Sequence, residues 1–542
     1  MKTAKPERHR RTARSVSAQQ LKSMLHDGGE IAVLDVREEG VFARRHLLLA
    51  ASAPLSRLEV RVPHLVPRRS TRVVICDAGE GLAPRAAAIL ARHGYRDVTV
   101  LAGGVDAWAA QGYEVYSGVH VPSKAFGEFV EHRENTPHMA AEEVKTRLDA
   151  GEKIVILDSR PLVEYRNMSI PGGIDCPGAE LAYRVHDIAK TPDTLVVVNC
   201  AGRTRSIIGA QSLINAGIPN RVVALKNGTM GWHLAGFELA HQQNLLAPSP
   251  TPAGLAKAQQ TAARVAKRFG VRSIDVATVA RFAQEMKRRT LYLFDVRSPE
   301  EYAAGHLYGT VSAPGGQLVQ TTDAYAATRN ARIVLVDDHG VRATMTASWL
   351  IQMGWKEVYV VEDALKSGPL YAGPAASEVL GLGQITCNYI TPHELKRRLD
   401  AGDATVVDFE ISLRYRDGHV PGAWHAIRAN LEHSLTNIPQ RKLLVLTSPD
   451  GVIAQLAAPE AVHLAPVPVK VLKGGTAAWR GAGLPLESGM THLAGTTDDV
   501  WYRPYDRATG VEAAMRDYLS WETDLVAQIG RDDDAEFRAF AP

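Results

Sequence analysis

The chain has 542 residues, 45% of them apolar and 22% charged, with a formal net charge of +3. Such a length exceeds what one hydrophobic core serves and predicts roughly three to five domains of a soluble globular protein. The small net charge gives no nucleic-acid footprint, and no run of about 18 apolar residues is present to span a membrane.

The basic opening (Lys2, Lys5, Arg8, Arg10, Arg11, Arg14) reads as a solvated terminus. It lacks the apolar core and small-residue cleavage site of a secretory signal. Beyond it, one unit recurs four times. Each copy begins with a short apolar strand ending in Asp-x-Arg or a variant of it. These strands read Val33-Leu34-Asp35-Val36-Arg37, Ile156-Leu157-Asp158-Ser159-Arg160, Leu293-Phe294-Asp295-Val296-Arg297 and Val406-Val407-Asp408-Phe409-Glu410. A helix-like stretch follows with an aromatic at Phe42, Tyr165, Tyr302 or Tyr415. A Gly/Pro turn comes next in the last three copies.

The second strand of each copy is the informative one. The copies read Val73-Val74-Ile75-Cys76-Asp77, Val196-Val197-Val198-Asn199-Cys200, Val334-Leu335-Val336-Asp337-Asp338 and Leu444-Val445-Leu446-Thr447-Ser448. Each runs through a short loop into an apolar-periodic helix and a third strand. Three copies then close on a glycine turn with Trp108, Trp232 or Trp479; the third has Glu362-Asp363 there. From the first-strand aspartate to the end of the second strand the spacing stays between 40 and 43 residues. Short β-branched strands alternating with helices define βαβ units around a parallel sheet.

The fold class is therefore α/β: four tandem domains, each a small, mainly parallel sheet flanked by helices. The expected boundaries are 16–118, 137–243, 271–372 and 385–490, with linkers near 118–136, 244–270 and 372–384. Residues 491–542 match no copy. They hold a helix-like run over 511–529 and are expected to form a packing arm.

Ligands of open parallel sheets bind beyond the carboxyl ends of the strands. Cys200 stands at such an end, in Cys200-Ala201-Gly202-Arg203-Thr204-Arg205-Ser206, before a helical segment over 207–216. Loop amides, the helix dipole, Arg203 and Arg205 are all expected to stabilise a thiolate there, and to hold an anion beside it. The cysteine position in the other copies aligns with Asp77, Asp338 and Ser448, none of which can carry sulfur. Cys76 is read as core, since side-chain alternation turns it away from the loop. Cys387 precedes the fourth copy. Cys176 is a candidate resolving thiol, Asp158 and Arg160 a brace beneath the site, and Glu180 a residue at the pocket mouth. The four cysteines show no CxxC spacing, which excludes a disulfide framework and a structural zinc site and suits a reducing cytoplasm.

On these motifs the chain resembles the rhodanese family of sulfurtransferases over residues 16–490. The family pattern is a strand ending in cysteine, a six-residue loop that cradles sulfur, then a helix. An Asp-x-Arg strand precedes it and a glycine–tryptophan turn follows. The resemblance puts the catalytic cysteine at Cys200 and the substrate loop at Ala201, Gly202, Arg203, Thr204, Arg205 and Ser206. Many members have glycine where Arg203 stands.

This implies sulfur transfer from thiosulfate or a similar anionic donor to a thiol or cyanide through a Cys200 persulfide. One active domain among four is expected, with neither metal nor cofactor, and an acceptor protein is an expected partner alongside small molecules. Two other readings stay open. One is a cysteine-dependent phosphatase or arsenate reductase, although its loop places arginine one residue later than Arg205. The other is a scaffold that works through the cysteine-free copies.

Overall fold

The computed structural model describes residues 14–366, 368–374 and 377–541; the basic opening, except Arg14, lies outside them. Each sequence repeat forms one five-stranded parallel sheet. In the second domain the strand order is His138–Met139, Val222–Leu225, Leu195–Asn199, Ile154–Asp158 and Ile174–Asp175. The three other sheets have the same order, centred on Arg72–Cys76, Arg332–Val336 and Leu443–Thr447. Their central strands are buried on both faces, as the unbroken apolar runs require.

The pairing register fixes which residues correspond. Asp35 pairs with Cys76, Asp158 with Asn199, Asp295 with Val336 and Asp408 with Thr447. The residue one step beyond each strand is then Asp77, Cys200, Asp337 and Ser448. In the third domain the cysteine position is thus Asp337, and the alignment on Asp338 is corrected by one residue. Two adjacent aspartates favoured that slip, although Asp337 restores the 42-residue spacing of the first two copies.

Side-chain braces repeat with the backbone. Tyr165, Tyr302 and Tyr415 each donate to a carbonyl eight residues on, at 2.8, 2.7 and 2.5 Å. Trp108, Trp232 and Trp479 each donate to a carbonyl six residues on.

The segment around 118–136, expected as a linker, is largely the helix Val121–Glu134. Val121, Lys124, Ala125, Phe126, Glu128 and Val130 are all buried, so the helix is enclosed on several sides and has no clean apolar stripe to announce it. The segment 244–270 contains the helix Pro252–Phe269, started by Thr251 and ended by Gly270. It lies against the helices Glu180–Ile188 and Val341–Gln352.

The domains are not independent beads. The second and third meet through equivalent turns, close enough that a Cβ on Gly178 would lie 2.8 Å from the Gly316 Cα. Trp349 of the third domain donates to the Ser212 hydroxyl of the second at 2.8 Å. The first and fourth domains meet through the corresponding turns, where Arg428 forms a bidentate pair with Glu59 at 2.8 Å. A short strand of the third domain, Thr328–Arg329, adds antiparallel to Ile31–Ala32 of the first sheet. The last helix, Val511–Ile529, follows the fourth domain in sequence but packs on the second.

Candidate active site

The strand Leu195–Asn199 delivers Cys200 to the carboxyl edge of the second sheet, and the helix Thr204–Ala216 begins four residues later. The helix thus starts three residues earlier than its apolar periodicity suggests, with Thr204, Arg205 and Ser206 in its first turn. The closing turn of the domain clamps the loop from behind. Thr229 N–H donates to the Cys200 carbonyl at 2.8 Å and Met230 N–H to the Ala201 carbonyl at 3.0 Å. This close approach needs Gly228, whose φ is +56° and whose Cβ, if present, would lie 2.3 Å from the Cys200 oxygen.

Cys200 is 2% exposed, and its Sγ accepts from the Ser206 hydroxyl at 3.2 Å. Burial pushes the thiol above its ordinary range, and Glu522 adds to that. Arg205 and the Ser206 hydrogen bond pull the other way. The expected net depression is therefore not found in this closed site, because enclosure outweighs the positive charge.

The two arginines are already committed. Arg205 makes a bidentate pair with Glu164 at 2.9 and 2.8 Å and reaches Gln317 of the third domain at 3.2 Å. Burial alone would raise the Glu164 carboxyl, but Arg205, with Arg160 behind it, holds it at about 2. Arg203 is bidentate with the fully buried Glu128 at 2.7 Å and also pairs with Glu131.

Beneath the loop Arg160 is 0% exposed and grips Asp158 at 2.9 and 2.6 Å and the Met168 carbonyl at 2.6 Å. It is a brace, as the sequence suggests. Cys76 and Cys176 are both fully buried in apolar clusters, and burial raises each thiol well above its usual range. Cys176 thus sits in the core rather than as a poised resolving thiol. Cys387 is half-buried beside Gln455. Glu180 does not line a pocket mouth; it pairs with Arg184 at 2.6 Å and with Arg342 of the third domain at 2.7 Å.

The equivalent loops are filled by their own side chains. Asp77 accepts from the amides of Gly79 and Ala83 at 3.1 and 2.9 Å. Asp337 accepts from those of Gly340 and Ala343 at 2.6 and 3.1 Å. Ser448 accepts from the Ala454 amide at 3.3 Å. In each case a side-chain oxygen takes the amide six residues on, and at Cys200 that sixth residue is Ser206.

Sequence reasoning missed what lies over the Cys200 loop. Met515 and Leu519 of the helix Val511–Ile529 pack on Ala201 and Met230, with Tyr505 and Tyr518 beside them. Glu522, on the same helix, accepts from the Thr204 hydroxyl at 3.2 Å. Lys124, from the helix Val121–Glu134, lies 5.2, 5.6 and 5.1 Å from the ring centres of Trp501, Tyr518 and Trp521. Amphipathic periodicity shows that a helix exists over 511–529, but it does not show which domain that helix covers.

The family model for the Rhodanese-like domain matches residues 17–111, 140–235, 278–367 and 391–482. The chain belongs to the rhodanese family, with four such domains in tandem. Its structure is similar to the crystal structure of a thiosulfate sulfurtransferase from Pseudomonas aeruginosa. The two share a TM-score of 0.93 and 47% identity over 97% of this chain and 100% of that one. The thiosulfate sulfurtransferase GlpE of Pseudomonas paraeruginosa is 29% identical over 84 residues, 16% of this chain and 74% of that protein. An HTH-type transcriptional regulator of Mycobacterium tuberculosis is 36% identical over 118 residues, 21% of this chain; the match spans only 50% of the regulator's length.

Proposed function

We propose that this protein is a sulfurtransferase that takes sulfane sulfur from thiosulfate or a similar anionic donor and passes it to a thiol or to cyanide. The carrier is a persulfide on Cys200. One observation carries this reading. Of the four equivalent positions one step beyond the central strand, only that of the second domain presents a sulfur atom, while the loops at Asp77, Asp337 and Ser448 are occupied by oxygen from their own side chains.

In the first half-reaction the Cys200 thiolate attacks the outer sulfur of the donor. A Cys200 sulfur–sulfur bond forms, the donor's own sulfur–sulfur bond breaks, and sulfite leaves with the electron pair. In the second, the acceptor attacks the outer persulfide sulfur and Cys200 leaves as thiolate. Arg205 and Ser206 lower the cost of that thiolate, and the loop residues Ala201, Gly202, Arg203 and Thr204 frame the sulfur.

The similarity to the thiosulfate sulfurtransferases supports the same donor here. A phosphatase reading is disfavoured by geometry, since the Arg205 guanidinium that would face a phosphate is held bidentate by Glu164. A free nucleophilic thiol suits a reducing compartment such as the cytoplasm. Among the described residues no helix is long and apolar enough to cross a membrane.

The test is a thiosulfate:cyanide assay on wild type and Cys200→Ala. Turnover is expected from the wild type alone, together with a thiosulfate-dependent adduct of ~32 Da on Cys200, the mass of one sulfur atom. Undiminished turnover by Cys200→Ala would refute the assignment.

A further inference from the structure

The last helix brings to the Cys200 loop a carboxyl group that the two displacement steps do not use. Glu522 is 1% exposed. Its Oε1 accepts from the Thr204 hydroxyl at 3.2 Å and from the Tyr518 hydroxyl at 3.0 Å. Its Oε2 is buried and has no hydrogen-bond partner. That unpaired oxygen faces the middle of the loop, where a Cβ placed on Gly202 would lie 2.9 Å from it.

Buried polar atoms are almost always paired, so an unpaired one that faces a nucleophile's loop calls for an explanation. Burial pushes the Glu522 carboxyl up, opposed by Lys124 and reinforced by Glu128. In the protonated form that burial favours, the two donors on Oε1 mark it as the carbonyl oxygen and leave the proton to Oε2. That form presents an O–H group to the loop with nothing there to receive it.

We propose that Glu522, as a neutral carboxylic acid, donates a hydrogen bond from Oε2 to the anionic sulfur donor held in the Cys200 loop. The C-terminal arm would thereby supply a donor-binding residue to the second domain. This rests on the assignment of Cys200 as the sulfur carrier. An ionised carboxylate would repel a dianion such as thiosulfate, whereas the neutral acid gives it a charge-assisted hydrogen bond. Nearby cations do not serve equally well. Arg203 is committed to Glu128 and Glu131, and Arg205 to Glu164.

The ionisable groups facing Glu522 are Lys124 and Glu128 from the helix Val121–Glu134, and Cys200 and Arg203 from the loop. Tyr518 faces it from its own helix, with Tyr505 beyond. Burial pushes Lys124 down to about 8 against the pull of Glu522, so Lys124 also changes charge within a pH series. The experiment must separate these two groups.

The deciding measurement is kcat and KM for thiosulfate from acidic to alkaline pH in wild type, Glu522→Gln and Glu522→Ala. Wild-type KM is expected to rise with pH as Glu522 ionises. Glu522→Gln, which keeps an N–H donor but cannot ionise, should hold KM within about threefold and lose most of that rise. Glu522→Ala should raise KM roughly tenfold or more with kcat nearly unchanged, the size of one lost hydrogen bond to a charged group.

A rise of KM with pH that persists undiminished in Glu522→Gln would overturn the proposal, as would an unchanged KM in Glu522→Ala. Should Glu522→Ala fail to fold, the pH profile of Glu522→Gln decides alone. Failure of the underlying assignment reads out separately, as turnover by Cys200→Ala.

Discussion

Asp158 is 1% exposed and lies behind the Cys200 loop, where an unbalanced carboxylate would be costly. Arg160, two residues on, balances it, and Arg37 and Arg297 do the same for Asp35 and Asp295 with nearly identical distances. The fourth domain has Glu410 in place of the arginine. There Asp408 is left with the Glu410 amide at 2.9 Å and the Thr476 hydroxyl at 3.4 Å, and burial pushes its carboxyl up to about 6. Because the folded-state value lies above the ordinary 3.8, the protonated form favours folding. That advantage is full below about pH 4 and lost as pH rises through about 6. Asp408→Asn should therefore stabilise the protein by about 1–3 kcal/mol near neutral pH. Denaturant titration should show the gain shrinking as the buffer is acidified. A gain that does not change with pH would mean that Asp408 is ionised equally in both states.

The helix Val511–Ile529 is held by an anchor at its far end. Lys22 of the first domain reaches Asp534 at 2.7 Å, Asp532 at 3.4 Å and Asp533. His26 meets Asp534 at 2.9 Å, and Arg531 meets Glu114 at 2.7 Å. Removing this anchor should let the helix lift more often and expose the thiol beneath it. Lys22→Ala is expected to speed iodoacetamide modification of Cys200 by about threefold or more, followed by mass spectrometry, since local opening governs access to buried groups. An unchanged rate would separate the anchor from the site.

The same element marks the boundary of what the sequence could disclose. The repeated strands, the Asp158–Arg160 brace and the position of Cys200 were legible, because each depends on residues close together in the chain. The helix Val121–Glu134 was not, since burial on several sides erases the apolar stripe that reveals a helix. Nor were the partners of Arg203 and Arg205, because Glu128 and Gln317 come from outside the second domain and Glu164 is brought to Arg205 only by that domain's own folding, from 41 residues away.

At the scale of the molecule, the second and third domains form a pseudo-symmetric pair. Arg205 bonds Glu164 of its own domain and Gln317 across the seam. Arg342 stands at the matching position of the third domain, bonding Glu301 at 2.7 Å and, across the seam, Glu180 at 2.7 Å. Arg342 is 0% exposed and also reaches Asp338 at 2.8 Å, so it serves three carboxylates. Arg342→Met should cost about 3–5 kcal/mol by leaving Glu180, Glu301 and Asp338 without their shared cation, whereas Gln317→Ala should cost about 1 kcal/mol or less; chemical denaturation compares the two. Equal costs would show that the seam does not depend on the buried cation.

The cover of the Cys200 loop comes from some three hundred residues further along the chain. A ribosome making this protein releases the cysteine and its loop long before it reaches Glu522 and Tyr518. During that interval the nascent chain carries a bare thiol, and its pocket lacks one wall. Synthesis thus has a built-in order, in which the second domain acquires its last wall only after the third and fourth domains have been made.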